Sequence, residues 1–189
     1  MVFLSSCFTS RAFGQEDSTA ALKTYYWLTC SIGVSKSNFD NRFSTGISAN
    51  LSAFFQYGSQ VFGVRYAGHL ELNSLLSAKP VDGLGEISLL YGTSAEWSHG
   101  FVSLAAGLGY VEGIRRGKYL YTEPGLFGGN VHEEIRYKTV GIPVDVQLSW
   151  TPFPVIGFGV NGFALLNTQR PLAGAAFCIQ IGKLRIVKK

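Results

Sequence analysis

Residues 139–150, TVGIPVDVQLSW, alternate between apolar and polar or small side chains along their whole length. The apolar positions are Val140, Ile142, Val144, Val146, Leu148 and Trp150, and between them lie Thr139, Gly141, Pro143, Asp145, Gln147 and Ser149. Successive side chains of a β-strand point to opposite faces, so a period of two predicts a strand with one apolar face. This stretch therefore indicates a β-sheet protein.

The same alternation recurs along the chain and predicts eight strands, at 23–35, 45–57, 60–73, 85–97, 100–112, 135–150, 155–167 and 171–185. Each reaches the length of about 10 residues that lets a tilted strand cross a bilayer. Tight connections at 58–59, 98–99 and 151–154 alternate with long ones at 36–44, 74–84 and 113–134. An even strand number with this asymmetry predicts an all-β fold, an eight-stranded antiparallel up-and-down transmembrane β-barrel.

Composition agrees with one such domain. The 189 residues are 47% apolar and only 15% charged, with 23 glycines, a balance that favours strands and tight turns over disorder or coiled coils. No run reaches the roughly 18 consecutive apolar residues of a membrane-spanning helix. The net charge of +4 includes a basic tail of Lys183, Arg185, Lys188 and Lys189, so it does not indicate a nucleic-acid partner.

The first residues have the features of a targeting segment. An apolar patch and the small residues around Ala12-Phe13-Gly14 precede Gln15, where a signal peptidase would cut. We therefore expect residues 1–14 to be the remnant of a signal peptide and residues 15–189 to form the barrel domain. The patch is short and lacks a basic leader, so the alternative that it is no signal stays open, as does lipidation at Cys7.

The pattern alone does not say which face of the barrel is apolar. A soluble, lipocalin-like ligand carrier would turn its apolar face inward and its polar face to water. The polar face here is rich in glycine and poor in lysine, which suits a narrow lumen rather than a solvated outer surface. We therefore expect the apolar face to point to lipid, and we keep the soluble carrier as an alternative.

The last third of the chain carries a resemblance. Residues 137–145 (YKTVGIPVD), 150–153 (WTPF), 161–167 (NGFALLN) and 182–185 (GKLR) resemble small outer-membrane barrels of Bacteroidetes-type bacteria, which are grouped as barrel domains of undefined function. The resemblance implies a barrel fold and a location in a bacterial outer membrane. The chain departs from many such proteins in lacking a terminal aromatic residue, since it runs on through Ile186 to Lys189.

Charged and polar side chains on the inner face predict a polar network that fills the lumen: Arg65, His69, Glu71, Glu86, Glu96 and Asp145. An unpaired buried charge costs several kcal/mol, so Arg65 is expected to bridge to Glu96 or Asp145. An eight-stranded barrel is narrow enough to be filled by side chains, so conduction is not expected.

No enzymatic activity is expected, because the sequence holds no catalytic motif. The three histidines are far apart and the cysteines do not cluster, so no metal or cofactor is expected. A barrel enzyme acting on envelope lipids, an acyl hydrolase or transferase, is the main alternative function. Ser98-His99 with Glu96 invites that interpretation, but we expect adjacent residues in a tight turn not to bring the imidazole to the hydroxyl.

The longest connection, 113–134, is expected to be an extracellular loop with contact residues Arg115, Arg116, Lys118, Tyr119 and Tyr121. It could bind lipopolysaccharide phosphates or an unknown protein partner, because cations supply charge and aromatics supply contact area. The expected protein is thus a monomeric outer-membrane barrel in lipid and lipopolysaccharide, with both termini periplasmic and a structural or surface-interaction role.

Two finer expectations follow from strand parity. Every Trp is expected near the membrane interface at the tight-turn end, as part of an aromatic girdle. Cys30 and Cys178 are expected on adjacent strands but on opposite faces, so that they stay free thiols.

Overall fold

The computed structural model describes residues 24–39, 42–72, 78–124 and 129–184. The expected signal segment 1–14, the start at Gln15, Cys7 and residues 185–189 of the basic tail lie outside this part. The strands are β1 (Thr24–Phe39), β2 (Arg42–Tyr57), β3 (Gln60–Glu71), β4 (Ala78–Lys79), β5 (Gly83–Trp97), β6 (Gly100–Thr122), β7 (Asn130–Trp150), β8 (Ile156–Asn167) and β9 (Leu172–Lys183). The described residues contain no helix long and apolar enough to span a membrane.

Eight of these strands form a closed ring. Each long strand pairs antiparallel with the next along the chain, and β9 returns to pair with β1, so that the eight-stranded antiparallel barrel is confirmed. Only the two-residue β4 stands outside the ring, paired in parallel with β7 at Asn130 and Val131. Closure supplies every barrel strand with two neighbours and removes the free edges of the sheet.

The strands reach further than predicted at the end with the long connections. The predicted loop 36–44 is mostly paired, since Phe39 on β1 is in register with Arg42 on β2. The predicted loop 113–134 is mostly a hairpin, because β6 continues to Thr122 and β7 begins at Asn130, with register shifts around Tyr119. Sequence reasoning ended the strands where apolar alternation ends, but backbone pairing continues without an apolar face.

The apolar residues of the strands face outward. Leu108 and Val140 are 73% and 74% exposed, and large apolar side chains of all eight barrel strands are exposed in the same way. The alternate positions point into the ring, where Ser48, Ser88, Gln147 and Asn161 are buried. The barrel is thus the inverse of a soluble protein, with a polar interior and an apolar exterior.

An apolar cluster fills the interior near the tight-turn end. Trp27 stacks on Phe54, with ring centroids 5.3 Å apart, and contacts Phe101 at 5.0 Å. The prediction that every Trp belongs to an interfacial girdle is therefore wrong for Trp27. Trp27 lies between the outward Tyr26 and Leu28, so parity turns it inward.

Trp97 and Trp150 do lie on the outer surface of the barrel. They are 48% and 59% exposed, and both lie beside Gly100 at the tight-turn end. The two cysteines also follow parity. Cys30 is exposed on the outer face, Cys178 is buried in the lumen, and both are free thiols.

Candidate functional site

The middle of the lumen holds a buried ion triad of Arg65 on β3, Glu86 on β5 and Asp145 on β7. Arg65 Nη2 lies 2.8 Å from Glu86 Oε1, and Arg65 Nη1 lies 3.1 Å from Asp145 Oδ2. All three side chains are at most 3% exposed. Glycine makes room for the carboxylate, because a Cβ at Gly109 would approach Glu86 Oε1 to 3.3 Å. The triad joins two neighbouring strands to a third across the ring.

A chain of amides continues from the triad toward β9. Gln147 Nε2 donates to Asp145 Oδ1 at 3.1 Å, and Gln180 Nε2 donates to Gln147 Oε1 at 3.0 Å and to Ser149 Oγ at 2.7 Å. Each of these groups is buried, so each needs a partner to offset the loss of water. The polar layer thereby extends around the wall from β3 to β9.

Of the two expected partners of Arg65, Asp145 forms the bridge and Glu96 does not. The register pairs Arg65 with Ser88, so Glu96 lies eight positions further along β5, about 26 Å at roughly 3.3 Å per residue. Glu96 instead accepts hydrogen bonds from Tyr25 at 3.0 Å and from Gln56 at 2.6 Å. It belongs to the tight-turn end of the barrel, where it joins β5 to β1 and β2.

His69 and Glu71 also point inward but belong to different contacts. His69 Nδ1 lies 2.6 Å from the hydroxyl of Ser35, with the hydroxyl of Ser48 at 3.4 Å. A hydroxyl beside an imidazole is a pair that hydrolases use. His69 is only 1% exposed, however, so no substrate in lipid or water reaches this pair. The contact gives Nδ1 a partner inside the polar lumen, while His69 Nε2 is buried without a hydrogen-bond partner among the described residues.

A second charge cluster lies at the mouth of the barrel at the long-connection end. Arg116 Nη2 lies 2.6 Å from Glu71 Oε2, and Arg116 Nε lies 4.0 Å from Asp82 Oδ2. Asp82 also pairs with Arg170, which follows β8 on the far side of the ring. Arg170 completes the cluster by donating to the hydroxyls of Ser37 and Ser44, each at 3.0 Å. These residues form the mouth cluster.

Burial dominates the electrostatics of Asp82, which lies in the connection before β5. Loss of water raises the pKa of its carboxyl above the ordinary value, although the charges of Arg170 and Arg116 oppose that rise. Sequence reasoning missed both Asp82 and Arg170, because alternation says nothing about connections. The only local signal is Asn167, whose side-chain oxygen accepts from the backbone N–H groups of Gln169 and Arg170 and so fixes the turn.

The predicted contact residues lie on strand β6 rather than in a loop. Lys118, Tyr119 and Tyr121 are exposed, with Tyr119 packed edge-on against His132 at 5.8 Å. Arg115 is half-buried, and Arg116 belongs to the mouth cluster. The five predicted residues therefore do not form one surface. The exposed residues are 118–121. They include Leu120, which the sequence analysis did not name.

The Ser98-His99 turn departs from expectation in one respect. His99 Nδ1 lies 3.0 Å from Ser98 Oγ, so the adjacent side chains do form a hydrogen bond. Glu96 is bonded to Tyr25 and Gln56 rather than to His99, and no hydrogen bond from an acid to this imidazole is found in the described part of the chain. Within the described residues, no group of three or more His, Cys, Asp or Glu side chains is placed to hold a metal ion.

Comparison with known proteins identifies the fold. No family model matches the chain, and no curated protein matches its sequence. Among solved structures, Neisserial surface protein A (NspA) has a TM-score of 0.64 at 11% identity, covering 82% of this chain and 96% of that one. Ail, the attachment invasion locus protein of Yersinia pestis, has a TM-score of 0.58 at 9% identity, covering 85% and 98%. These similarities show a shared eight-stranded barrel fold.

Ail has also been solved with the heparin analogue sucrose octasulfate, and that structure has a TM-score of 0.55 at 8% identity, covering 85% of this chain and 98% of that one. The N-terminal barrel domain of OprF from Pseudomonas aeruginosa has a TM-score of 0.54 at 8% identity, covering 83% and 96%. The chain thus spans whole barrels of this class.

Removing the cation of the ion triad is expected to destabilise the barrel. Arg65→Met leaves Glu86 and Asp145 buried without a counter-charge, which costs about 3–5 kcal/mol of unfolding free energy. The measurement is urea unfolding from detergent micelles, followed by gel mobility. The triple variant Arg65→Met, Glu86→Gln, Asp145→Asn removes the stranded charges and is expected to recover part of the loss. An Arg65→Met protein as stable as the parent would contradict the role given to the triad.

Proposed function

We propose that the protein resides in a bacterial outer membrane and has a structural or surface-interaction role without catalysis. The observation that carries this proposal is the continuous belt of exposed apolar side chains around a closed barrel. A soluble protein rarely exposes an apolar patch larger than a few hundred Å². A bilayer removes that cost, and closed barrels satisfy every backbone group within the wall. The fold that the chain shares with outer-membrane barrels supports the same location.

The proposed orientation follows from the two ends of the barrel. The start of β1 and the end of β9 both lie at the tight-turn end, where Tyr26 is in register with Lys183. In outer-membrane barrels short turns face the periplasm and longer connections face outward. Both termini would then be periplasmic, and the β6–β7 hairpin would project from the cell. A closed ring leaves no edge for a second copy, which suits a monomer in outer-membrane lipid and lipopolysaccharide.

The lumen is proposed to be closed along its length. The apolar cluster around Trp27 lies near the tight turns, the ion triad lies in the middle, and the mouth cluster lies at the opposite end. Each layer is built from buried side chains of several strands. Together they support a scaffold role with a closed lumen.

The alternative of an enzyme acting on envelope lipids has little support in the geometry. A lipid hydrolase of the barrel class would need its nucleophile and base on a surface that the acyl chains reach. The Ser35 and His69 pair is buried in the lumen, and the nearby acid Glu96 bonds to Tyr25 and Gln56 rather than to His99. The same outward apolar belt argues against a soluble ligand carrier.

The surface-interaction role is assigned to the tip of the β6–β7 hairpin. Tyr119, Leu120 and Tyr121 are 56%, 57% and 56% exposed, so three consecutive large side chains face solvent. Exposed aromatics on a rigid support are typical of contact sites for proteins. The cations Arg136 and Lys138 are paired with Glu134 and Glu112, so charge is less prominent here than aromatic area. Neighbours of the same fold include a surface protein and an attachment protein, which fits this role.

Cell fractionation tests the location directly. Protein expressed with a bacterial secretion signal is expected in the outer-membrane pellet, because only lipid covers the apolar belt. Its gel mobility is expected to change on heating, since a closed barrel resists detergent until boiled. Recovery in the soluble fraction would contradict the proposal and favour the ligand carrier.

Trimming the hairpin tests whether its tip serves the barrel or a partner. Replacing residues 117–133 by Asn-Gly joins Arg116 to Glu134, which are in register, and keeps Arg116 in the mouth cluster. The trimmed protein is expected to keep its heat-dependent mobility and to unfold in urea within about 1 kcal/mol of the parent, because surface segments contribute little to stability. Failure to form the barrel would show that the tip is a folding element.

A further inference from the structure

The β6–β7 hairpin continues beyond the strands on either side of it. β6 pairs with β5 as far as Ile114, and β7 pairs with β8 only from Gly141 onward. Between the short pairing with β4 and the pairing with β8, no strand of the described chain lies on the outer side of residues 132–140. This stretch, the β7 edge, therefore presents backbone groups that have no strand partner.

Every second residue of the β7 edge directs its N–H and C=O groups to the free side, because bonded and unbonded pairs alternate along an antiparallel ladder. At the tight-turn end Thr151 N donates to His99 O at 2.8 Å, so the odd-numbered residues of β7 bond to β6. At the tip Glu123 N donates to Gly129 O at 3.0 Å, which gives the same parity. The even-numbered residues of the edge that face the free side include Glu134, Arg136 and Lys138.

The β7 edge is regular, whereas the opposite side of the hairpin is not. Between Arg116 and Tyr119, and again between Tyr119 and Tyr121, β6 holds one residue more than the facing part of β7. Bulges of this kind twist a strand and hinder further pairing along its edge. The extra residues all lie on β6, so the alternation of β7 continues unbroken and its edge can accept another strand.

The contacts around the β7 edge leave its free side uncovered. Tyr137 lies over Gly113 of β6, and Ile135 lies over Gly117, where a Cβ would come within 2.8 Å of Ile135 Cδ1. The turn after β8 is tied to β1, because Asn38 N donates to Pro171 O at 3.0 Å. Neither the inner side chains of β7 nor the turn of the next strand therefore occupies the place of a partner.

The same side of β7 already binds strands above and below the edge. The two residues of β4 pair in parallel with Asn130 and Val131, whose other side is paired with β6. Below the edge, β8 pairs antiparallel with β7 from Gly141. The unpaired stretch is thus a gap of about 30 Å, at roughly 3.3 Å per residue, in an otherwise paired side. A strand of ordinary length fits into it.

The side chains of the β7 edge indicate what kind of segment would fit. Arg136 pairs with Glu134 and Lys138 pairs with Glu112, each at 2.6 Å, so the outer face offers no surplus charge to select a partner. These exposed charges also place the edge in water, above the apolar belt. The inner face carries the half-buried Ile135 and Tyr137, which favour apolar neighbours.

We propose that the β7 edge binds an extended segment of another protein by strand addition. The segment runs antiparallel to β7, in line with β8, and main-chain hydrogen bonds to Glu134, Arg136 and Lys138 supply its affinity. Its inward residues lie opposite Ile135 and Tyr137, so apolar side chains are favoured at alternate positions. The inference rests on the proposed surface-interaction role and gives that role a binding mode.

A synthetic strand provides the test. The probe is a fluorescein-labelled peptide with the sequence KVTVTVK, and its binding to the folded protein in detergent is measured by fluorescence anisotropy. In antiparallel addition with the valines inward, the threonine N–H groups face β7 and the valine N–H groups face away. Methylating the nitrogens of both threonines is expected to weaken binding at least about tenfold, because two hydrogen bonds are lost. Methylating two valine nitrogens is expected to leave the affinity unchanged.

A matched pair of variants tests the protein side of the same bonds. Arg136→Pro removes an N–H group from the free side of β7, whereas Arg136→Val loses the same charge and keeps the N–H group. Proline is tolerated on an edge where the N–H group bonds to no strand, so both variants are expected to form the barrel. The proline variant is expected to bind the probe at least about tenfold more weakly than the valine variant. The methylated probes decide the question if the proline variant does not fold.

Equal binding of the two methylated probes would overturn strand addition, as would failure of the parent protein to bind the probe at up to about 1 mM. A dimer that disappears in Arg136→Pro but persists in Arg136→Val would assign the β7 edge to a second copy of the chain instead. These results are distinct from failure of the proposed function. A protein that pellets with outer membranes but does not bind the probe contradicts the β7 edge alone, whereas soluble recovery contradicts the location whatever the probe does.

Discussion

The alternation of side chains across a closed β-sheet is the constraint on which the rest of this structure depends. In a ring of eight strands every residue points either into a narrow lumen or out of the barrel. With apolar residues on the outer positions, many inner positions carry polar groups, and those groups lose their water on folding. The buried ion triad of Arg65, Glu86 and Asp145 satisfies the most costly of them.

Different kinds of inward side chain occupy the lumen near the tight turns, in the middle and at the far mouth. Near the tight turns aromatic side chains around Trp27 fill the ring without needing partners. In the middle, charges and amides pair across the lumen, and at the far mouth Arg170 reaches over from β8 to Asp82 and to hydroxyls on β1 and β2. Contacts across the ring join strands that are not neighbours in the sheet. The proposed outcome is a stiff scaffold that carries the β6–β7 hairpin tip on its outside.

The sequence predicted those features that depend on the two-residue alternation within each strand. Strand number, closure order, the outward apolar face and the opposite faces of Cys30 and Cys178 all follow from parity, which needs no knowledge of the partner strand. Even the contact between Arg65 and Asp145 followed from a shared inner face. Parity also predicts that Trp27 points inward, but the aromatic-girdle interpretation placed it on the outer face.

The features that the sequence analysis missed depend on the register between strands and on the connections between them. Glu96 shares a face with Arg65, but the connection between β3 and β5 sets a register that separates them by eight positions. Arg170 and Asp82 lie outside any alternating run, so nothing marked them as partners. The hairpin beyond residue 112 lacks an apolar face and was taken for a loop, although its backbone stays paired to Thr122.

Single-channel recording tests the central claim, that the inward positions close the lumen while the outward ones face lipid. Purified protein whose heat-dependent mobility shows a closed barrel is inserted into planar bilayers. Insertion without steady conductance is expected if the apolar cluster, the ion triad and the mouth cluster close the lumen as proposed. Reproducible, steady single-channel currents from the inserted protein would contradict it.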